Sequence, residues 1–426
     1  MEMRRKLNVL LNDSIAFRSF LTMVIHGSGR LLGLLAFILL ARLVSVEDYG
    51  NIIFGNSMAK LVAAIAMMGC LGIMVRTWGW SEFDDFERKR YVHYISNWYL
   101  FNGLPIIVVI TIGWIAYLKF IGDSGSALIA FLAFLYVFPL FVANLYQSYF
   151  ISIKKPLTSS TILLIINGFW VIFLTMAFLL LDLSALYLLL GLFIGTLLLA
   201  ILLVFINSYK YGVKKVKPRN GSLSFALAQW GSMLLAQIDI LLLQFFSDTE
   251  QLAYYGVALQ LSMVIAFVLG AIVSNVVSQL AEDYKQLSKD IVQQRVLLYA
   301  KIIATFSSIV LIFLYLFGYF ICLLFGEEYG VSYSILCILM IGQAFNAMNG
   351  CNGWLLNLSG YEKIPVKGFY IAIVIKLILG IVLVNHYGMF GVAITSVIAL
   401  VLWNLIMTYF CFKNIKINPT IIPFKI

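Results

Sequence analysis

Thr22–Gly50, TMVIHGSGRLLGLLAFILLARLVSVEDYG, is the stretch on which the reading of the whole chain turns. It is apolar for long enough to cross a bilayer as a helix, which takes about 20 residues. Near its middle it carries His26 and Arg30, four residues apart and therefore on one helical face. A cation at mid-membrane costs roughly 2.5–3.5 kcal/mol on insertion scales. A helix tolerates that cost when its charged face looks into a bundle or a wet cavity. The spacing predicts a membrane helix of this kind, with a cavity whose contents are anionic.

The remainder of the chain agrees. Of 426 residues, 62% are hydrophobic and 11% charged, where soluble domains carry about 25% charged residues. With a mean hydropathy of +0.99, this excludes an ordinary soluble enzyme. The apolar runs are near 20 residues or longer, so strands alternating over about 10 residues, the signature of a barrel, are excluded too. The expected class is an all-α polytopic membrane protein. Residues 1–17 are basic and mixed and lack a cleavage pattern, so the first helix is expected to serve as its own insertion signal. The five cysteines form no CxxC pair and read as small hydrophobes, with no metal site and no disulfide framework.

Twelve apolar spans follow one another, at about 18–43, 50–74, 97–118, 127–152, 158–180, 186–207, 223–246, 254–280, 299–325, 333–358, 367–385 and 390–412. With the N-terminus in the cytoplasm, 24 of the 29 lysines and arginines fall on the cytoplasmic side. The outer loops hold two, Arg42 and Lys119, and Arg30, Lys60 and Lys376 fall inside spans. That asymmetry predicts cytoplasmic termini, and it accounts for the net charge of +10 without a nucleic-acid partner. The basic loop 209–222 divides the chain into a six-span lobe at 18–208 and another at 223–412, between a segment 1–17 and a tail 413–426. Six is even, so both lobes enter the membrane in the same direction. LLARLVSVEDYG before span two and LLLQFFSDTEQLAYYG before span eight share an acidic turn and a Tyr-Gly pair. Their acids are placed to favour the starts of those helices.

The charges inside spans are Arg30, Lys60, Lys376 and Asp239. Left in lipid they cost on the order of 10 kcal/mol together, as much as a whole domain's stability. Their sum is +2, so pairing among themselves leaves positive charge for an anionic ligand. Each also has a structural reading. Arg30 could pair with Asp239 or with carbonyls, and Lys376 could reach an interface. Asp239 could couple transport to protons or sodium, or serve as a lysine's partner. His26 could relay protons or be hydrogen-bonded in the bundle. On span ten, Gln343, Asn346, Gly350, Gly353 and Asn357 recur at spacings of three and four, which suits either a cavity wall or tight helix packing. No P-loop, HExxH or GxSxG pattern is present, so no enzymatic activity and no bound cofactor are expected.

The phrases LLARLVSVEDYG, AQIDILLLQFFSDTEQLAYYGVALQL and LFGEEYGVSYSILCILMIGQAF resemble the oligosaccharide (O-antigen) flippases of bacterial polysaccharide biosynthesis. Those belong to the multidrug, oligosaccharidyl-lipid and polysaccharide exporter superfamily. The resemblance implies two six-helix lobes in a V around a cationic cavity in the bacterial inner membrane. It implies a cargo of undecaprenyl-pyrophosphate-linked oligosaccharide, a lipopolysaccharide precursor or a similar unit, moved to the outer leaflet by alternating access. The implied partners are membrane lipids, a polysaccharide polymerase and chain-length machinery. Arg30 and Lys60 occupy places like those of basic residues on the first two helices of peptidoglycan-precursor flippases. Those relatives carry two further C-terminal helices, so the end of the chain at 413–426 favours the oligosaccharide branch. The substrate site then comprises Arg30, Lys60, Lys376, His26, Gln343 and Asn346, with Asp239 coupling the cycle to a proton or sodium gradient. Two alternatives stand beside this. A cation-coupled drug or metabolite antiporter calls for acids in the cavity. A membrane polymerase or ligase calls for a large outer loop with a catalytic cluster.

Overall fold

The computed structural model describes residues 14–76, 85–121, 125–153, 155–180, 184–211, 216–217, 223–286 and 288–421. Most of the expected N-terminal segment 1–17 and of the basic loop 209–222 lies outside the described residues. Among the described residues the chain is helical and has no strand. It forms two compact units, Met1–Gln229 and Trp230–Ile426.

The first unit contains α1 (Ser14–Leu43), α2 (Val46–Met67), α3 (Cys70–Arg76) and α4 (Asp85–Ile121). After these come α5 (Gly125–Phe134), α6 (Val137–Ser152), α7 (Pro156–Leu180) and α8 (Ala185–Tyr211). Helix α9 (Leu223–Phe246) begins here and continues into the second unit. The boundary thus falls inside α9, just after the expected loop. The cause is local. The first turns of α9 pack on the break between α2 and α3, where the Gly69 N–H donates to Gln229 Oε1 at 2.9 Å.

Helix α2 starts as its sequence predicts. Ser45 caps it by accepting the Asp48 N–H at 3.1 Å, and Glu47 and Asp48 occupy the first turn, where negative charge complements the helix dipole. The expected second span is nevertheless two helices, because Met68 and Gly69 adopt left-handed conformations. The fourth span is likewise divided, into α5 and α6. The longest contact in the unit runs between α1 and α7. It is close because Gly29 has no side chain; a Cβ there would stand 3.2 Å from the main-chain nitrogen of Leu164. The core packs Val62, Ala66, Ile95, Tyr99, Phe134, Phe141 and Tyr146.

The second unit contains the rest of α9, α10 (Thr249–Gln286), α11 (Lys289–Leu323), α12 (Ser332–Met348), α13 (Asn352–Leu358) and α14 (Lys363–Phe410). A helix of 48 residues would measure about 72 Å, more than twice the ~30 Å hydrocarbon core. It is two spans. Gly388, at φ 53° and ψ −131°, breaks it, and a Cβ on Gly391 would run into the carbonyl of Leu383. Eight residues apart in a straight helix, those positions would be about 12 Å distant, so the chain folds back at Gly388. Gln251 closes the turn by accepting the Met389 N–H at 3.0 Å.

Each of the twelve expected spans therefore has its helix. Among the described residues ten helical stretches are long and apolar enough to cross a membrane, the folded-back α14 being one of them. Their outer faces suit hydrocarbon: along α11, Ile309, Ile312, Leu316 and Phe320 are all more than half exposed. In water such a face would be a liability; in a bilayer it is the expected surface. The protein is a multi-pass membrane protein.

As far as it is described, the tail expected at 413–426 packs on the second unit. Ile415 and Ile417 enter the core of the second unit. Gln293 and Asn418 exchange two hydrogen bonds, at 2.6 and 2.9 Å. The Ile421 N–H reaches the carbonyl of Met348 at 3.2 Å.

Candidate functional site

In the first unit, α1 carries His26 and Arg30 on one face and α2 carries Lys60. Helix α1 can hold this face in place because Gly29 and Gly33 bring it against α7. Asn167 of α7 donates to the Gly29 carbonyl at 2.7 Å, and Ser160 Oγ lies 3.4 Å from His26 Nδ1. Both anchors lie on the turn that leads into Arg30 and hold its backbone against α7. Arg30 is exposed at the surface of the unit, and His26 and Lys60 are half-buried. The Arg30 charge lies within electrostatic reach of both. Cations within reach of one another's field repel. Among the described residues no carboxylate stands at ion-pair distance from Arg30 or Lys60. The unit offers a guanidinium fork and an ammonium, the donor types that grip a phosphate or pyrophosphate.

A cavity of about 20 Å³ also lies in the first unit, lined by Phe37, Leu40, Asn56, Tyr136 and Trp170 among others. Asn56 Oδ1 and Trp170 Nε1 are buried without hydrogen-bond partners. The space suits a single water bridging an acceptor to a donor.

The second unit treats its charges differently. Lys376 Nζ lies 2.8 Å from Asp239 Oδ1, with side chains 4% and 3% exposed. Its ammonium also donates to the Leu235 carbonyl at 2.8 Å. Asp239 Oδ2 accepts from Tyr255 at 2.7 Å and from Ser396 at 2.6 Å. Four segments meet here: α9, α10 and both arms of α14. The carboxylate expected as a coupling site is thus held by a lysine expected to face substrate, and this pair is internally neutral.

Span ten is also resolved. The Gly350 break at φ 58° divides it into α12 and α13. Asn346 Oδ1 accepts from Asn404 Nδ2 at 3.0 Å, Asn404 Oδ1 accepts from Asn352 at 3.1 Å, and Asn349 Oδ1 accepts from Thr408 at 2.9 Å. This amide ladder joins the broken span to the second arm of α14, so Asn346 acts here as interhelical glue. Gln343 Oε1 is buried with no hydrogen-bond partner. Tyr255, Ser396 and Asn404 were not singled out from sequence. Asn404 and Thr408, four apart on an apolar helix, carried a usable signal; Tyr255 and Ser396 carried none, because single hydroxyls are common in membrane helices.

Three comparisons bear on this geometry. Residues 18–278 match the family model described as polysaccharide biosynthesis protein. An uncharacterized membrane protein of Methanocaldococcus jannaschii is 29% identical over 171 residues, 39% of this chain and 33% of its own length. The chain thus spans about a third of the length of that curated relative. Among solved structures, an inward-facing multidrug resistance MATE family transporter of the MOP superfamily superposes with a TM-score of 0.67 at 15% identity, over 93% of this chain and 98% of that one. The lipid II flippase MurJ, in an inward closed conformation, gives 0.64 at 17% identity, over 94% and 88%. At these identities the likeness establishes the fold, which is that of MOP-superfamily transporters. The family match covers well over half of the sequence, and on that basis the chain belongs to the polysaccharide biosynthesis protein family.

Proposed function

We propose that the protein is a flippase for a lipid-linked oligosaccharide, with undecaprenyl pyrophosphate as the carrier, in a bacterial inner membrane. The observation that carries this reading is the Arg30–Lys60 pair. Both cations lie in the first unit, Lys60 within electrostatic reach of Arg30, with no acidic partner at ion-pair distance among the described residues. Like charges held together in a low-dielectric setting are stable only when a counter-charge arrives. A pyrophosphate supplies it, and its two phosphoryl groups suit one guanidinium and one ammonium. The glycan then occupies the aqueous side, the polyprenyl tail remains in lipid, and alternating access moves the headgroup across. The product is an O-antigen or similar surface-polysaccharide unit, delivered to a polymerase and its chain-length machinery.

The antiporter reading requires an acid available to a cationic drug. The one intramembrane acid described, Asp239, is already bonded to Lys376.

The test compares Arg30→Ala, Arg30→Lys, Lys60→Ala and Arg30→Ala/Lys60→Ala in a strain that depends on this gene. It measures the lipid-linked oligosaccharide on each leaflet at matched protein level. Loss of one charged hydrogen-bonding partner costs about 1.5–3 kcal/mol, or roughly a 10- to 150-fold loss in apparent affinity. Arg30→Lys keeps charge but loses the planar fork, and so falls between. Normal outer-leaflet delivery by Arg30→Ala/Lys60→Ala would remove the pair from the mechanism.

A further inference from the structure

Membrane acids that bind coupling ions present oxygen atoms to a cation in an otherwise apolar place. The second unit has such a place. Asp239 Oδ1 and the Leu235 carbonyl each stand 2.8 Å from one positive centre. The hydroxyls of Tyr255 and Ser396 hold the other carboxylate oxygen. The positive centre is the Nζ of Lys376. We propose that this tethered ammonium fills the seat on Asp239 that an inorganic monovalent cation would otherwise take. Lys376 is then the residue that decides ion specificity in this unit, making the unit independent of sodium.

Three features support the assignment. The first is charge. Asp239 and Lys376 cancel, so a further cation at the same oxygens would leave net positive charge among apolar helices, where no solvent compensates it. The second is geometry. Oδ2 already accepts from two hydroxyls, and Oδ1 faces the ammonium, so neither carboxylate oxygen is left for a metal ion. The third is enclosure. Both side chains are almost completely buried, so the carboxylate meets the ammonium and not solvent. Removing the Nζ while keeping an apolar stem, as Lys376→Met does, would vacate the seat and leave its oxygen donors in place.

The experiment uses the purified full-length chain in lipid nanodiscs and needs no cargo, so it can fail without touching the flippase reading, and the reverse. Binding of radioactive sodium and the thermal midpoint are measured in sodium chloride and in choline chloride. The wild-type chain is expected to show no saturable sodium binding and the same midpoint in both salts. Lys376→Met is expected to gain saturable sodium binding and a higher midpoint in sodium, and both gains should vanish in Asp239→Asn/Lys376→Met. Should Lys376→Met fold only when sodium is present, that also supports the proposal. Two outcomes overturn it. One is wild-type sodium binding that Asp239→Asn abolishes. The other is the absence of any sodium response in Lys376→Met; if that variant fails to fold in either salt, the same response is sought in Lys376→Gln, and its absence there overturns the proposal equally.

Discussion

Breaking the Asp239–Lys376 pair from either side should destabilise the protein severely, while removing both charges should not. In Asp239→Leu the Lys376 ammonium keeps only the Leu235 carbonyl, and Tyr255 and Ser396 lose their shared acceptor. Cutting one partner from a buried ion pair costs about 3–5 kcal/mol, and two stranded hydroxyls place this variant at the upper end. In Lys376→Met the carboxylate retains both hydroxyl donors, which stabilise its charge, so the loss lies at the lower end. In Asp239→Leu/Lys376→Met no charge remains, and apolar replacements of buried pairs are often neutral or stabilising by about 1–4 kcal/mol. The double variant should therefore recover to near wild-type stability, giving a coupling energy above about 2 kcal/mol. The assay is equilibrium unfolding of all four proteins in one mixed-micelle system, in choline buffer so that no small cation replaces the lysine. A double variant as unstable as the two losses added together would show that the pair does not act as a unit. It would also remove the basis for treating the second unit as electrically self-contained.

Other expectations are more local. Gly388→Ala forces a side chain into a conformation that costs about 1–3 kcal/mol for non-glycine residues and drives its Cβ into Gln251; a lowered thermal midpoint checks it. Gln251→Ala strands the Met389 N–H, at about 1–3 kcal/mol, measured in the same way. Ile417→Ala, at a position 1% exposed, should cost about 2–5 kcal/mol, and faster protease cleavage near the C-terminus would report the released strap. Gly29→Leu places a side chain against the Leu164 backbone; it should destabilise the α1–α7 contact by about 1–3 kcal/mol and reduce surface polysaccharide together with stability.

The helices were legible because a bilayer demands them. A run of 20 apolar residues has one way to satisfy its backbone in hydrocarbon, and the basic loops punctuate the runs. What the sequence hid were the interruptions. The Met68–Gly69 break is completed by Gln229 from 160 positions along the chain, and a window of residues carries no trace of such a partner. At Gly350 the signal was present but ambiguous, since small and amide residues at helical spacing serve a cavity or a packed seam equally. The structure puts Asn346 in a seam because Asn404 stands opposite it. The position of Lys376 in a span could be read, but its partner could not, because pairing is decided by which helices meet. The folding back at Gly388 had been expected from two runs of hydropathy, and it is enforced by a single left-handed residue.

The charges of the membrane interior settle into two different conditions. From sequence alone three cations and one acid leave an excess of +2, and that excess could reside anywhere. Within the second unit Asp239 is bonded to Lys376 at 2.8 Å, so that pair contributes nothing to the excess. The remaining two charges are then assigned without further choice: Arg30 and Lys60, both in the first unit, each within reach of the other's field. An excess shared between them cannot be relieved by rearranging side chains, because no carboxylate is close among the described residues. It can be relieved by solvent or by an anion, and solvent alone leaves unexplained why two contacts from α7 anchor the turn of α1 just before Arg30. Anchors of that kind spend no affinity on ordering the side chain's base when a ligand arrives. On the reading proposed above, an unneutralised pair of cations suits a diphosphate carrier and would repel a drug cation.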